Sequence, residues 1–436
     1  MITKEDLPNG FDWVNLDNIQ FNRALDEVLN EEDNLFIQAK AGCGKSLIIK
    51  IASMQLKSLV VLSTTGTTAV QLSSTGVPAH TVHSFFRLGA ASIVGDNAIN
   101  KNDKYFRNMI NRVNTIIIDE VSMLNAQIFD AIIKKIKKNR TKGDVPRLIL
   151  FGDVLQLPPV IEKGVVEDYF KQNYNGNVMF FNSVAYKHLG FTMLTLTKSF
   201  RQTDEEFANR IYQIGVGMVS DKTLSYFNQR VMSLPKYSAN RKHFVYMAPT
   251  NATVNKINQE YINNFSSDKE KLFKIEKSPN FPKGVLDDEI LIKVGAQVMI
   301  TKNNLGAGYS NGMLGTVTSI GDDSVSIETD TGKIVEVGVS EYTTYETAIE
   351  NGRIVNKKKE WAKQLDCRIC RAMTIHKSQG KTFDNAYIAL MGWTPPGIVY
   401  VGLSRLTSLE GLGISRPINM NDIKVYKEAI DFLQSH

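Results

Sequence analysis

The segment from Asn34 to Ser46, NLFIQAKAGCGKS, constrains the fold of this chain more than any other. It reads as a short buried strand from Leu35 to Ile37, a turn of small residues, and the start of an apolar helix running on through Leu47, Ile48 and Ile49. Such a turn presents free backbone N–H groups at a helix N-terminus, where the positive end of the helix dipole also lies, and phosphate is its natural occupant. Ala41, Gly42, Cys43 and Gly44 would curl around the phosphates, Lys45 would reach the terminal ones and Ser46 would hold Mg²⁺. The strict G-x-x-x-x-G-K-[ST] spacing misses by one position, because Ala39 stands where its first glycine should be. A ligand-free helix cap that contains Gly-Lys-Ser fits the segment taken alone, so the remaining chain must decide.

Ahead of this loop, Ile19, Phe21, Ala24, Leu25 and Val28 have helical spacing with Asp17 or Asn18 as N-cap. Gln20, near the start of that helix, has an amide that can donate to and accept from an adenine edge at once. After the loop, the apolar run at 59–62 is that of a strand covered on both faces, and it ends in the hydroxyl-rich STTGTTA, residues 63–69. Thr65 and Gly66 in such a turn suit phosphates that are held without reading sequence, or the cap of the next helix. In AHTVHSFF, residues 79–86, Thr81, His83 and Ser84 are interleaved with Phe85 and Phe86, a pattern for a track of single-stranded bases or for a core histidine among phenylalanines.

A second buried strand, TIIIDE at 115–120, ends in two carboxylates. Strand side chains alternate between faces, so adjacent acids do different work. Asp119 would hold Mg²⁺ through a water, and Glu120 would orient and deprotonate an attacking water. The amphipathic helix that follows ends in Lys134, Lys135, Lys137 and Lys138, a basic tail read as a solvated face at a helix C-terminus. A third buried strand, 147–151, leads into GDVLQLPP, residues 152–159, where Gln156 would sense the terminal phosphate. Strand–loop–helix units with polar residues at the C-terminal strand edges describe a doubly wound α/β domain. Arg201 and Arg405 each follow an apolar, strand-like segment far from the loop.

Composition bounds the partners. The 436 residues carry 43% hydrophobic and 22% charged residues, which is ordinary globular usage, with no run long enough to span a bilayer and a polar start; a cytoplasmic setting is expected. Residues 1–40 hold nine acids and three bases, so the rest of the chain carries +12 of the formal +6, a balance suited to a polyanion. Three cysteines make no disulfide framework, and the lone C-x-x-C of Cys367 and Cys370 lacks the second pair a zinc site needs, so both are expected as buried small residues.

Taken in order, Gln20, AGCGKS (41–46), Thr65-Gly66, TVHS (81–84), DEVSM (119–123) and GDVLQLPP (152–159) resemble the motifs of superfamily-1 DNA helicases. The series continues with LTKSFRQ (196–202), AMTIHKSQGKTFD (372–384) and VYVGLSR (399–405), and Phe129-Asp130 lies on a helix like that family's signature helix. The resemblance is to the Pif-type (petite integration frequency) branch, with Dda and RecD proteins more distant, and it covers about Gln20 to Leu412. Thr64 stands where that family usually has proline, and Gly402 where it usually has alanine.

The resemblance implies two RecA-like doubly wound domains, the first from 1–86 and 113–200 and the second from 201–285 and 366–436. A small wedge would occupy 87–112 and an SH3-like β-barrel 286–365. The residues of the barrel segment alternate as strands at 297–300, 315–319, 324–328 and 333–337, and Lys357 to Lys359 read as a solvated turn near its end. ATP with Mg²⁺ would sit between the motor domains, contacted by Gln20, the 41–46 loop, Gln156, Arg201, Gly380 and Arg405. Single-stranded DNA would run over Thr65, Gly66, Thr81, His83, Ser84, Phe85, Pro158, Thr250, Asn251, Thr374, His376 and Lys377. The implied activity is 5′→3′ translocation by a monomeric motor that opens duplex at single-strand/duplex junctions, in replication, repair or telomere maintenance, with no membrane partner. G-quadruplexes and RNA–DNA hybrids stay open as substrates, and a translocase that strips protein from DNA is the alternative. A phosphate-loop ATPase acting on protein would need no HKSQ (376–379) with a second arginine, and a passive DNA binder would need no Glu120.

Overall fold

The computed structural model describes residues 18–40, 42–88, 104–141, 145–159, 161, 164–202, 204–239, 241–267, 269–302, 304, 307–309, 311–329, 332–350, 353–390 and 394–435. Most of the wedge segment (89–103) and Ala41 of the phosphate loop lie outside the described residues.

Six strands form the first sheet: β1 (Leu35–Ala39), β2 (Leu59–Ser63), β3 (Ala79–Thr81), β4 (Thr115–Asp119), β5 (Arg147–Gly152) and β6 (Thr192–Leu196). Their order is β3-β2-β4-β5-β1-β6, and every pairing is parallel. The strands are apolar throughout because helices cover both faces. One apolar layer gathers Phe36, Leu62, Ile116, Ile118 and Leu150, and the other Ile37, Val61, Ile117, Ile149 and Phe151. Helix α1 (Ile19–Asn30) starts at Asn18, whose side chain accepts the Phe21 N–H, and buries Phe21, Ala24, Leu25 and Val28. Helix α2 (Lys45–Gln55) follows the phosphate loop, and α3 (Gly66–Ser74) is capped by Thr65.

A second parallel sheet holds β7 (Val245–Ala248) between Ala372–Thr374 and Ala386–Ile388, with Leu412–Ile414 outermost. After the helix Asn251–Asn264, the strands that precede Ala372 pair antiparallel. Strands Gln297–Ile300, Leu314–Ile320 and Ser324–Thr329 lead into a long hairpin of Ile334–Glu350 against Arg353–Leu365. Lys357 to Lys359 therefore lie within a strand, not a turn, and Lys358 pairs with Glu341. Glu270–Lys274 pairs with Glu289–Lys293 beside it. The architecture is two RecA-like domains with an antiparallel domain inserted in the second. The insert also reaches the first domain, because Val70 of α3 packs with Phe281, Tyr342 and Ala362.

Two local expectations change. Lys135 is not solvated: it is fully buried, donates to the Phe86 carbonyl at 2.6 Å and lies over the Phe106 ring. The apolar run before Arg405 is a buried helix, Ile398–Leu403, not a strand.

Candidate functional site

The phosphate loop is built by register. β1 lies between β5 and β6, with Gln38 opposite Gly152 and Ala39 opposite Leu196, so the ends of three strands converge on one loop. Gly42 and Gly44 both take left-handed backbone angles, φ +82° and +88°, which glycine adopts freely. The Gly42 carbonyl accepts the Phe200 N–H at 2.8 Å, which ties the loop to the segment carrying Arg201. Cys43 is buried and its thiol is pushed up to about 12, chiefly by burial, so it is a packing residue of the loop. Gln20 stands at the loop's rim, where its side-chain oxygen accepts from both the N–H and the hydroxyl of Thr197.

Lys45 Nζ lies 3.3 Å from Glu120 Oε1. Burial works against the Lys45 ammonium, but the carboxylates of Glu120 and Asp119 outweigh it and raise its pKa. β4 delivers Asp119 fully buried, and burial, then the neighbouring Glu120 charge, lifts its carboxyl to about 7. Directly after it the chain bends through Glu120 at φ +53°, a conformation few non-glycine residues hold. Thr64 holds it there by donating its hydroxyl to the Glu120 carbonyl at 3.1 Å. Proline, usual at this place in the family resembled, has no hydroxyl to do so.

Gln156 follows β5 and donates to Asp153 Oδ2 at 3.0 Å. Asp153 also accepts from the Gln38 amide at 2.8 Å and from the Tyr400 hydroxyl at 2.8 Å, the latter across the two domains. Gln379 reaches Gln156 from the same side at 3.3 Å. Arg405 is 1% exposed, with Nε and Nη2 bonded to the Val401 carbonyl and the Ser404 hydroxyl. Arg201 spans the cleft, donating to Thr382 Oγ1 and to the Ser404 carbonyl, each at 2.8 Å. Burial, then the nearby Arg405 charge, holds the Arg201 guanidinium well below its ordinary pKa. Two crowded cations facing a pair of carboxylates leave the site short of negative charge on the arginine side, where a phosphate chain would supply it. A cavity of about 570 Å³ opens here, lined among others by Gly42, Ser46, Asp119, Arg201, Gly380 and Thr382.

The expected DNA contacts fall at the C-terminal ends of both parallel sheets. Thr65 after β2 and Thr250 after β7 make the same device: each oxygen accepts the N–H three residues on, from Thr68 and Thr253, and each hydroxyl meets the hydroxyl of that threonine. Gly66 starts the first of these helices and Asn251 the second. Thr81 caps the one-turn helix bearing His83 and Ser84. Thr374 is buried, its oxygen accepting the Lys377 N–H, while His376 and Lys377 are exposed beside it. Pro158 is half-buried after Gln156. Phe85 is 6% exposed and packs on Phe86 and Phe106, so its ring belongs to the core and presents no face to a base. Cys367 and Cys370 are buried, and no group of three or more His, Cys, Asp or Glu suited to a metal ion occurs among the described residues. The structure also brings Asp153 and Tyr400 to the site, which the sequence reading did not assign; the signal available was an aspartate directly after a buried strand.

Residues 17–225 match the family model described as PIF1-like helicase. A curated relative, the ATP-dependent DNA helicase Pif1 of Bdellovibrio bacteriovorus, is 28% identical over 406 residues, 89% of this chain and 85% of the relative. The crystal structure of Bacteroides sp Pif1 with ADP-AlF4 superposes with a TM-score of 0.87 at 29% identity, covering 96% of each chain. The chain resembles PIF1-like helicases along nearly its whole length. Bacteroides Pif1 bound to single-stranded DNA, at 28% identity and the same coverage, superposes with a TM-score of 0.65. Unliganded Bacteroides sp Pif1 superposes with a TM-score of 0.84, so this chain's arrangement is nearer that of the DNA-free relatives than that of the DNA-bound one.

Proposed function

We propose that this chain, an ATP-hydrolysing DNA helicase similar to Pif1, uses its interdomain site to travel 5′→3′ along single-stranded DNA and open duplex ahead of it. One observation carries the reading: Lys45, Asp119 and Glu120 of the first sheet face Arg405 of the second domain, and Arg201, on the segment after β6, bridges the two. The phosphate loop would hold the β- and γ-phosphates on backbone N–H groups and Lys45. Glu120, now paired with Lys45, would turn to the attacking water once the phosphates take the lysine. Gln156 would orient that water, and the two arginines would stabilise the charge that develops on the γ-phosphoryl group. The donor set fits Mg²⁺, because Ser46 and Asp119 border the same cavity and Asp119 is a buried carboxyl beside a second one. That ion would neutralise phosphate charge.

Because Arg405 comes from the far side and Arg201 reaches across to Thr382 and Ser404, the site would be complete only when the cleft is closed, and hydrolysis would release it. Thr65 and Thr250 would grip successive phosphates, one in each domain, so closure and release become steps. The lower superposition on the DNA-bound relative supports a change of arrangement on engaging DNA. The direction of travel rests on the family resemblance. G-quadruplexes and RNA–DNA hybrids are admissible substrates on the same chemistry, and the motor would act as a monomer. Among the described residues no helix is long and apolar enough to cross a membrane.

The test pairs ATPase and strand-displacement assays. Lys45→Ala should abolish DNA-stimulated ATP hydrolysis and leave single-strand binding largely intact; wild-type turnover in that variant would overturn the mechanism. Duplexes with a 5′ tail should be unwound and those with only a 3′ tail should not. Unwinding from the 3′ tail alone would reject the direction. ATP hydrolysis and protein displacement without strand separation would favour a remodelling translocase.

A further inference from the structure

Among the described residues, Tyr400 is the one whose hydroxyl crosses from the second motor domain to the buried carboxylate under the phosphate sensor. Asp153 is fully buried, and each of its oxygens has two donors: the Gln38 amide and the Leu155 N–H on Oδ1, the Gln156 amide and the Tyr400 hydroxyl on Oδ2. Gln156 and Tyr400 thus share one oxygen, and the direction of the Gln156 side chain depends on that oxygen staying in place. Tyr400 sits on Ile398–Leu403, the helix that leads directly into Arg405. Its ring lies in a slot left by Gly215, where a β-carbon would come within 2.8 Å of the ring. Gly397, at the start of the same helix, faces the first domain: a β-carbon added there would lie 3.6 Å from the Leu155 and Gln156 carbonyl oxygens. The tyrosine is therefore held at both ends, by shape in the second domain and by charge in the first.

We infer that Tyr400 is a positioning residue, a latch whose hydroxyl fastens the arginine-bearing helix to Asp153 so that Gln156 and Arg405 reach the γ-phosphoryl group together. The inference rests on the ATPase reading given above. A hydrogen bond to a buried carboxylate gains strength from its low-dielectric setting and is lost whole when the cleft opens, so it acts on the closed state alone. The bond joins the two motor domains in the arrangement shared with DNA-free relatives, with Gln156 and Arg405 on either side of the site.

Tyr400→Phe keeps the ring in its slot and removes only the hydroxyl. Steady-state ATPase with saturating single-stranded DNA should then show kcat reduced by about tenfold or more, as loss of one hydrogen bond to a charged group implies. The KM for ATP and the affinity for a fluorescent oligonucleotide should stay within about twofold, because neither depends on this bond. Asp153→Asn should lower kcat too, and adding Tyr400→Phe to it should cost little more, since the two changes break one contact. Gly215→Ala, which pushes the ring from its slot, should reproduce the kcat loss. A Tyr400→Phe enzyme with wild-type kcat, or full multiplication of the two single effects, overturns the latch. A wild-type protein without DNA-stimulated ATPase overturns the underlying reading instead, and the two failures are separate.

Discussion

A single methyl group at Gly42 should disable the motor while leaving the fold standing. Gly42 has φ +82°, and a β-carbon built there would lie 2.6 Å from Arg201 Cβ and 2.9 Å from Ser199 Oγ. Carbon–carbon contacts prefer about 3.5–4.0 Å, so about 1 Å of displacement is required. Arg201 Cβ is fixed to its backbone, and the Arg201 N–H nitrogen itself is only 3.3 Å from the added atom. The segment must therefore move as a unit, and the guanidinium that bridges Thr382 and Ser404 moves with it. A left-handed backbone costs a non-glycine residue about 1–2 kcal/mol, a loss a protein of this size tolerates. Misplacing a group that acts on the transition state by about 1 Å can cost about 10²-fold in rate. Gly42→Ala is thus expected to lower DNA-stimulated kcat by about 10²-fold, with a thermal midpoint only a few degrees down. Gly44→Ala is the control. Its β-carbon would meet the edge of the Phe21 ring at 2.9 Å, a side chain that can tilt, with Arg201 untouched, so its effect should fall mainly on the KM for ATP. Steady-state ATPase and calorimetry on both variants decide the matter. A Gly42→Ala enzyme with kcat within about twofold of wild type would refute the claim that this loop positions Arg201.

Three further outcomes follow from the same geometry. Asp119, held up at about 7 by burial and Glu120, must lose its proton to hold a cation, so Mg²⁺-dependent turnover should rise with pH through about 7. Because its folded value lies above its unfolded one, ionising it costs the ligand-free fold: Asp119→Asn should melt higher than wild type at pH 8, and the gain should shrink as pH falls through about 7 and vanish below about pH 3, where both states are protonated. Thr64→Val removes the bond that holds the Glu120 backbone, and a net loss of about 0.5–1.5 kcal/mol should appear as a severalfold fall in kcat at constant KM. Phe85→Ala should cost about 3–5 kcal/mol in chemical denaturation, as for other buried phenylalanines; a stable variant defective only in DNA binding would instead return Phe85 to the DNA track.

What was legible in the sequence was what local pattern determines. The three isoleucines before Asp119 form a strand covered on both faces, and strand ends with small or acidic residues mark the nucleotide side of the sheet. Glycines at 42 and 44 are needed for positive φ, and Ala39 is tolerated because it is a strand residue, paired with Leu196, outside that turn. Other features depend on partners distant in the chain. Lys135 reads as part of a solvated basic tail until its ammonium meets the Phe86 carbonyl, 49 residues away. The run before Arg405 is buried on every side, so it has no amphipathic period to distinguish helix from strand. The long hairpin was read only at its start, because from Glu341 onward the sequence no longer alternates apolar with polar residues.

The same reasoning explains why the coupling residues were the least visible. Gln38, Asp153 and Tyr400 touch because β1 lies beside β5 and the second domain closes over both, and 247 residues separate the aspartate from the tyrosine. No spacing rule spans that distance. The phosphate loop could be recognised from thirteen residues, yet by itself it holds a nucleotide without cleaving it. On the proposed mechanism, cleavage would require Glu120 freed from Lys45, Gln156 directed by Asp153, Arg201 bridging the cleft and Arg405 carried in from the far side, so it would depend on the cleft being shut. A site divided this way hydrolyses ATP only as fast as its domains meet. That dependence converts a local phosphate pocket into a motor, because any change that alters closure, from DNA on the threonine grips to the loss of one tyrosine hydroxyl, must appear in kcat.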